Sequence, residues 1–240
     1  MWADRRLPLV ERTSARSSLP QWSQRGNRPR RMRSRLHMLN EAGLFDADVV
    51  VLSEMTVPTS AEWPHMVDAG THPGTCSGDK RKVAIVSKHP LTAVDAVGAD
   101  GLPPANFVAA DVDCPGGRIR VIAIVVRWAQ RSLYLDHLPE ALANNMTDRT
   151  IVAGDYNHRL PDGGPLARRL GSILQDHELH LHTGGKHESL GDERGLIDHI
   201  AATADLTAAG LTVWPRHDPR YRNGTKEVTD HAGCAVDVTW

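Results

Sequence analysis

The sequence predicts an α/β (α+β) domain in which two mostly antiparallel β-sheets pack together with helices outside them. Three observations indicate this class: strands outnumber helices, most neighbouring strands look antiparallel, and helices are inserted between strands without regular βαβ alternation. The chain has 240 residues, of which 40% are hydrophobic. That length and composition suffice for one sizeable core.

Short apolar runs bounded by polar or turn residues predict the strands. These runs are 47–54, 81–87, a hairpin over 106–127 around the turn Pro-Gly-Gly, TIVAG at 150–154, GLIDHIAAT paired with LTAAGLTVW, and a final AGCAVDVTW. Apolar residues at helical spacing predict helices over 30–44, 132–145 and 165–174. Pro139 is expected to kink or interrupt the second helix, because proline removes an intrahelical hydrogen bond.

Charge is unevenly distributed along the chain. Residues 1–36 hold ten arginines against two acidic residues, an excess of +8, so the remainder carries −9 for a net charge of −1. We expect residues 1–28 to be a poorly ordered Arg-rich leader and residues 29–240 to form the domain. A basic segment beside an acidic body also fits contact with a phosphate-rich partner.

The cysteine pattern and the hydropathy favour a cytoplasmic protein. The three cysteines, Cys76, Cys114 and Cys234, are far apart and odd in number, which argues against a zinc site or a disulfide framework. Since no run of about 18 apolar residues occurs, we expect no membrane span. The basic N-terminus has no apolar stretch after it, so no secretory signal is expected. A monomer is expected, although the sequence leaves the oligomeric state open.

Polar residues close or interrupt the apolar strands at four places, and these residues are Glu54, Asp155, Asn157, Asp198, Asp230 and His231. Each has an ordinary alternative explanation. Gly-Asp-Tyr-Asn fits a turn, Asp198 fits a structural ion pair, Thr-Asp-His fits a turn or a helix start, and Glu54 fits a loop cap. Four carboxylates, a carboxamide and an imidazole at strand ends are together more informative than any one of them.

Together, these residue types suit a site for a hard cation and a phosphate. Mg²⁺ prefers a few oxygen ligands and leaves room for a phosphate, so Glu54 and Asp230 are the candidate metal ligands. A strand tip is rigid, and side chains at i and i+2 point to the same side. Asp155 and Asn157 would therefore lie side by side at a sheet edge.

The remaining four residues suit the chemistry of water attack on phosphorus. Asp155 is the candidate acceptor of the water's proton, and Asn157 would orient the phosphate or that water. His231 would donate to a phosphoryl oxygen, and Asp198 would hold the imidazole in the required tautomer.

The motifs, in their order along the chain, resemble the endonuclease/exonuclease/phosphatase superfamily, which has the DNase I-like fold. The matching segments are ADVVVLSE, KVAIVSKHPL, IVAGDYN, LIDHI and TDHAGCAVDV, and the resemblance runs from about residue 30 to the C-terminus. It implies a four-layered sandwich and Mg²⁺- or Mn²⁺-dependent cleavage of a phosphoester. It also implies the same roles for the six residues, with Glu54 and Asp230 on the metal side and Asp155, Asn157, Asp198 and His231 as catalytic residues.

Two departures from the family pattern bear on substrate binding. The family opens with a strand that ends in Asn, whereas here only Asn27, in QWSQRGN, lies nearby without a convincing apolar strand before it. We therefore expect the first strand to be either missing or divergent, and Asn27 is the candidate substrate-binding amide. Where relatives place a Tyr or His that touches the phosphate, Arg127 and Trp128 follow VIAIVV. Arg127 is either a replacement phosphate ligand or a surface charge.

The sequence thus predicts a divalent-metal-dependent phosphodiesterase, with a nucleic acid as the first choice of substrate. A phosphatase or phosphodiesterase acting on a small phosphorylated metabolite or a lipid headgroup is the alternative among enzymes. A catalytically degraded member that only binds phosphate-rich partners is the alternative of another class. The histidines of HELHLH (His177, His180 and His182) fit an exposed strand better than a metal site.

Overall fold

The computed structural model describes residues 6–10, 47–56, 63–70, 80–161, 163–190, 195–215, 222–223, 226–227 and 231–240. Its strands are β1 Arg6–Val10, β2 Val49–Thr56, β3 His65–Asp68, β4 Lys80–Ser87, β5 Leu91–Val94, β6 Phe107–Cys114, β7 Gly117–Val125, β8 Thr150–Asp155, β9 His180–Leu181, β10 Asp198–Ala202, β11 Thr207–Trp214, β12 Arg222–Asn223, β13 Lys226–Glu227 and β14 Gly233–Thr239. The helices are α1 Arg131–Asn145 and α2 Pro165–Asp176, with 3₁₀ turns at Trp128–Gln130 and Glu188–Leu190. The predicted helix over 30–44 lies outside the described residues.

Two six-stranded sheets form the body of the domain. Sheet A has the order β11-β14-β1-β2-β4-β3 and sheet B the order β5-β6-β7-β8-β10-β9, while β12 and β13 pair separately. Apart from the parallel pairs β1–β2 and β7–β8, the described pairings are antiparallel. The predicted two-sheet, mostly antiparallel architecture is confirmed.

Strand β7 shows how the sequence alternation builds two cores. Val121 and Ala123 face sheet A in one buried cluster, whereas Ile122 and Ile124 face the helices in the other. Because successive side chains of a strand point to opposite faces, a strand covered on both sides must be apolar at every position. The helices α1 and α2 therefore cover sheet B on the face away from sheet A, and they pack there through apolar residues at helical spacing.

Pro139 lies inside α1, which continues through it from Arg131 to Asn145, so of the two predicted effects the interruption does not occur. A proline within a helix frees the carbonyl four residues before it, here that of Leu135. The Arg169 guanidinium of α2 donates to this carbonyl over 3.3 Å. Tertiary contact thus satisfies the group that the proline leaves without its intrahelical partner.

The predicted pairing of 195–203 with 206–214 is also wrong. β10 lies in sheet B beside β8 and β9, and β11 pairs with β14 at the edge of sheet A. The short connection, in which Leu206 donates to the Thr203 carbonyl, carries the chain from one sheet to the other. Strand periodicity predicts a buried face but not which sheet supplies the neighbour.

The N-terminal segment supplies a strand that the sequence did not predict. β1, Arg6–Val10, lies between β14 and β2 in the middle of sheet A. These five residues lie within the N-terminal segment for which a leader is expected from the sequence, and they occupy a central position in sheet A. Leu9 and Val10 form the parallel register with β2, and Pro8, which has no N–H to donate, lies opposite Ala235 of β14.

Within the described part of the chain, no helix is long and apolar enough to cross a membrane.

Candidate active site

Asp155 and Asn157 lie at the tip of β8, where the chain leaves sheet B. Both side chains are buried, with 0% and 5% of their surface exposed. The Asn157 carboxamide donates to Asp155 Oδ2 and to the Val126 carbonyl, each over 2.8 Å, and the Asn157 backbone N–H donates to Asp155 Oδ1 over 2.8 Å. The predicted side-by-side arrangement of these two residues is what the structure has.

The backbone conformation of this turn accounts for the glycine and the asparagine of the Gly-Asp-Tyr-Asn motif. Asn157 has φ of 51°, a left-handed conformation that Asn tolerates better than most residues. Gly154 has φ of 144°, and a Cβ there would lie 1.9 Å from the Ile124 carbonyl oxygen. Turn chemistry and a polar site, which the sequence offered as alternatives, are therefore combined in one segment.

Asp198 and His231 form a second buried pair beside the first. His231 Nδ1 lies 2.7 Å from Asp198 Oδ2, and 1% and 5% of the two residues' surfaces are exposed. A buried carboxylate accepting from Nδ1 fixes the orientation of the ring, the arrangement predicted for a histidine oriented by an acid. The ion pair offered as the alternative for Asp198 is thus made with the histidine itself.

Strand register brings the two pairs together. Asp198 of β10 lies directly opposite Asp155 of β8 in the antiparallel ladder. One potential ligand atom from each of Asp155, Asp198 and His231 lies within 4.8 Å of the others. Asp198 Oδ1 is buried and accepts no hydrogen bond from the described residues. A buried carboxylate oxygen of this kind is suited to a cation or a polar ligand.

Glu54 lies on β2, in the facing sheet. It has φ of 51°, and its half-buried carboxylate forms an ion pair with Lys82 of β4. Among the described residues, Glu54 stands outside the tight group formed by the two aspartates and the histidine. The structure therefore places an ammonium group beside this carboxylate, which is predicted to hold a metal, and the local sequence does not predict that neighbour.

Asp230, a predicted metal ligand, and Asn27, a predicted substrate-binding residue, lie outside the described residues. Arg127 lies two residues after the end of β7 and is half-buried, with Nη1 donating to Gln130 Oε1 over 3.0 Å. The residue before it, Val126, accepts from Asn157 and donates to the Asp155 carbonyl. Arg127 thus follows a residue whose backbone contacts the site, and its own side chain contacts Gln130.

His199, next to Asp198, is a residue that sequence reasoning did not single out. Its Nδ1 lies 3.0 Å from Thr183 Oγ1, and its Nε2 lies 2.9 Å from the carbonyl of His158. Since Thr183 Oγ1 already accepts the Ile200 N–H, its hydroxyl is free to donate to Nδ1, which leaves the proton of the neutral ring on Nε2.

Burial lowers the pKa of His199 to about 4, although the His158 carbonyl and Asp198 oppose this shift. The ring is therefore neutral near pH 7. Through its hydrogen bond to the His158 carbonyl, His199 links β10, which carries Asp198, to the loop that carries Asn157. No signal in the sequence distinguishes such a ring from an ordinary core histidine.

A family model described as the endonuclease/exonuclease/phosphatase family matches residues 21–231. No curated protein matches the sequence significantly.

Solved structures of similar fold include the endonuclease domain of TRAS1, a telomere-specific non-LTR retrotransposon, with 15% identity, 98% of each chain covered and a TM-score of 0.66. A 3′-5′ exonuclease from Neisseria meningitidis has 18% identity, coverage of 98% of this chain and 100% of that one, and a TM-score of 0.65. Sphingomyelinase C from Streptomyces griseocarneus has 16% identity, coverage of 98% and 99%, and a TM-score of 0.53. At these identities the similarity establishes the fold.

Proposed function

Since the chain belongs to the endonuclease/exonuclease/phosphatase family, whose members include phosphoester-cleaving enzymes, we propose that it is a divalent-metal-dependent phosphodiesterase acting on nucleic acid. One observation carries the proposal: the Asp155–Asn157 and Asp198–His231 pairs converge at the same edge of sheet B. A packed core does not require two adjacent buried carboxylates, because burying them is costly unless each has a partner.

The four side chains divide the work of a water attack on phosphorus. Asp155 accepts the proton of the attacking water, with its carboxylate fixed by the two N–H groups of Asn157. When protonated, His231 donates from Nε2 to a phosphoryl oxygen while its Nδ1–H remains hydrogen-bonded to Asp198. As the bond from phosphorus to the water oxygen forms, the bond to the leaving oxygen breaks, and the leaving oxygen takes a proton from solvent. The negative charge on the phosphoryl oxygens is met by a donor whose position is already fixed.

The donor set suits Mg²⁺ or Mn²⁺, since carboxylate oxygens predominate and the Asp198 Oδ1 oxygen is buried without a donor among the described residues. We propose Glu54 and Asp230 as the residues that hold the cation. When bound, the cation supplies positive charge that polarises the phosphoester. Lys82 must then release Glu54 or share it, because its ammonium group occupies one side of that carboxylate.

Nucleic acid is favoured as the substrate because two structural relatives are named as nucleases. They are the endonuclease domain of a telomere-specific retrotransposon and a 3′-5′ exonuclease. The Arg-rich N-terminal sequence is consistent with a polyanionic partner. Among the relatives, a sphingomyelinase also shares the fold, so a small phosphoester is the outcome to be distinguished. Nucleic-acid affinity should fall steeply with salt, whereas affinity for a singly charged phosphodiester should not.

The test is hydrolysis of bis(p-nitrophenyl) phosphate and of plasmid DNA, with Mg²⁺, with Mn²⁺ and with EDTA. The variants are His231→Ala and a matched control, His180→Ala, whose histidine is exposed on β9 away from the site. We expect metal-dependent turnover in the wild type and in the control, and a loss of roughly 10²- to 10⁴-fold in His231→Ala. Turnover that persists in His231→Ala, or is absent from folded wild type, would overturn the proposal.

A further inference from the structure

Trp128 is a large aromatic side chain exposed directly beside the candidate active site. It begins the 3₁₀ turn that follows β7, and 59% of its surface is exposed, a high fraction for an apolar residue of this size. A folded domain normally covers an indole or places it where a partner will cover it. Its local sequence does not predict a role for it.

The Trp128 ring is held in place by an arginine. The guanidinium carbon of Arg131 lies 3.5 Å from the centroid of the indole ring, and Arg131 Nε donates to the Trp128 carbonyl over 3.2 Å. This stacking covers one face of the ring with a cation and limits the rotation of the side chain. The exposed indole is therefore a fixed flat surface rather than a freely rotating side chain.

The backbone links this surface to the catalytic loop. Val126, two residues before Trp128, accepts from the Asn157 carboxamide, and its N–H donates to the Asp155 carbonyl over 2.8 Å. At 3.8 Å between successive α-carbons, the Trp128 backbone lies within about 8 Å of that of Val126. The positive charge of Arg131 also reaches the loop, since it adds to burial in lowering the pKa of His158, the residue after Asn157.

An aromatic face, a stacked guanidinium and a neighbouring Arg127 beside a phosphoester site match the chemistry of a nucleotide. Nucleobases stack on aromatic rings, and guanidinium groups bind the phosphates that alternate with them. We propose that Trp128, backed by Arg131, is a stacking platform for a nucleobase next to the scissile phosphate. The inference rests on the proposed function and specifies its substrate as a strand with an accessible, unpaired base.

A binding experiment tests the platform separately from catalysis. The probes are a short fluorescein-labelled single-stranded oligodeoxynucleotide and the same backbone in which every base is replaced by an abasic spacer. Fluorescence anisotropy in EDTA, at fixed low salt, gives a dissociation constant for each probe without cleavage. The proteins are the wild type, Trp128→Ala, Trp128→Phe and, as a matched control, Leu133→Ala, which removes a 43% exposed side chain from the adjacent helix α1.

We expect the wild type to bind the base-containing probe roughly 5- to 150-fold more tightly than the abasic one, the range for one stacked base. Trp128→Ala should bind both probes equally, Trp128→Phe should keep most of the preference, and Leu133→Ala should keep all of it. Unchanged thermal unfolding midpoints would show that the variants are folded. The inference is overturned if the wild type has no preference for bases, or if Trp128→Ala retains it.

The outcome is distinguishable from that of the hydrolysis test. If the preference depends on Trp128 but His231→Ala leaves hydrolysis unchanged, the proposed catalytic function fails and a nucleic-acid-binding surface remains. If His231 proves essential while Trp128→Ala keeps the base preference, the platform alone fails. If the exposed indole instead serves a protein partner, Trp128→Ala should leave the affinity for both probes unchanged, which also overturns the inference.

Discussion

Acidification should destabilise the domain through His199, and the structure sets the size of the effect. Burial lowers the pKa of this histidine from 6.5 to about 4, so the folded state binds fewer protons than the unfolded state in this range. Stability from the neutral ring is fully present above pH 6.5. It falls as the pH drops from 6.5 towards 4, and it falls no further below that. The complete loss corresponds to about 3 kcal/mol.

The network around His199 gives the physical reason. The neutral ring accepts at Nδ1 from the Thr183 hydroxyl and donates at Nε2 to the His158 carbonyl. Protonating Nδ1 places two hydrogens between the ring and Thr183, so the hydroxyl must turn away from its buried partner. The charge itself lies in an apolar environment beside Tyr156, whose ring packs edge-on against the imidazole.

Urea unfolding at about pH 7 and at about pH 4.5 measures the effect in the wild type and in His199→Gln. Between these two pH values the wild type should lose about 2.5 kcal/mol more free energy of unfolding than the variant, which has no proton to gain at this position. His180→Gln, which alters an exposed histidine on β9, should behave as the wild type. Equal losses in wild type and His199→Gln would refute the reasoning.

Three further predictions follow from the contacts of the site. Gly154→Ala should lower the free energy of unfolding by at least about 3 kcal/mol in urea titration, since the added Cβ would lie 1.9 Å from a carbonyl oxygen of β7, and an unchanged midpoint would contradict this. Lys82→Met should tighten Mn²⁺ binding roughly five- to tenfold by calorimetry, because it removes the ammonium group that pairs with Glu54; unchanged affinity would place the cation elsewhere. Asp198→Asn should reduce kcat on bis(p-nitrophenyl) phosphate by roughly 10²- to 10⁴-fold, because the amide no longer orients His231, while a mild loss would assign the pair a structural role.

Local sequence patterns predicted the site because it is built at strand ends. β8 is apolar from Ile151 to Ala153, Asp155 is its last residue, and Asn157 follows two residues later. Asp198 interrupts an apolar run, which is costly unless a partner is present, and His231 is that partner. In each case the sequence places a polar side chain in or next to an apolar strand. Burying such a side chain requires a hydrogen-bond partner, which indicates a contact with another polar residue.

Features that depend on tertiary contact were not predictable in the same way. The separation of β10 and β11 into different sheets is set by neighbours distant in sequence. The Leu135 carbonyl, which Pro139 leaves without an intrahelical partner, accepts from Arg169 of another helix. Strand β1 is only five residues long and contains a proline, so its pattern does not stand out from a loop. Its place is defined by β2 and β14 on either side.

Two side-chain features were also not predictable from the sequence: the pairing of Lys82 with Glu54 and the exposure of Trp128. Both depend on how side chains meet across or beside a sheet edge, and neither residue type in its local sequence is unusual. Lysine at the start of a strand is ordinarily a solvated surface charge. The register of β2 against β4 brings it to Glu54, one of the two carboxylates predicted to bind a metal.

The most direct test of the central claim, that the two pairs at the edge of sheet B form one catalytic unit, is a double-mutant cycle. It uses Asp155→Asn, His231→Ala and the double variant, measured by kcat/KM on bis(p-nitrophenyl) phosphate with Mn²⁺. Residues that act together on one reaction show strongly non-additive losses, so the double variant should be little worse than the more damaging single one. Small single losses that simply add would mean that the two pairs act independently and would contradict the account.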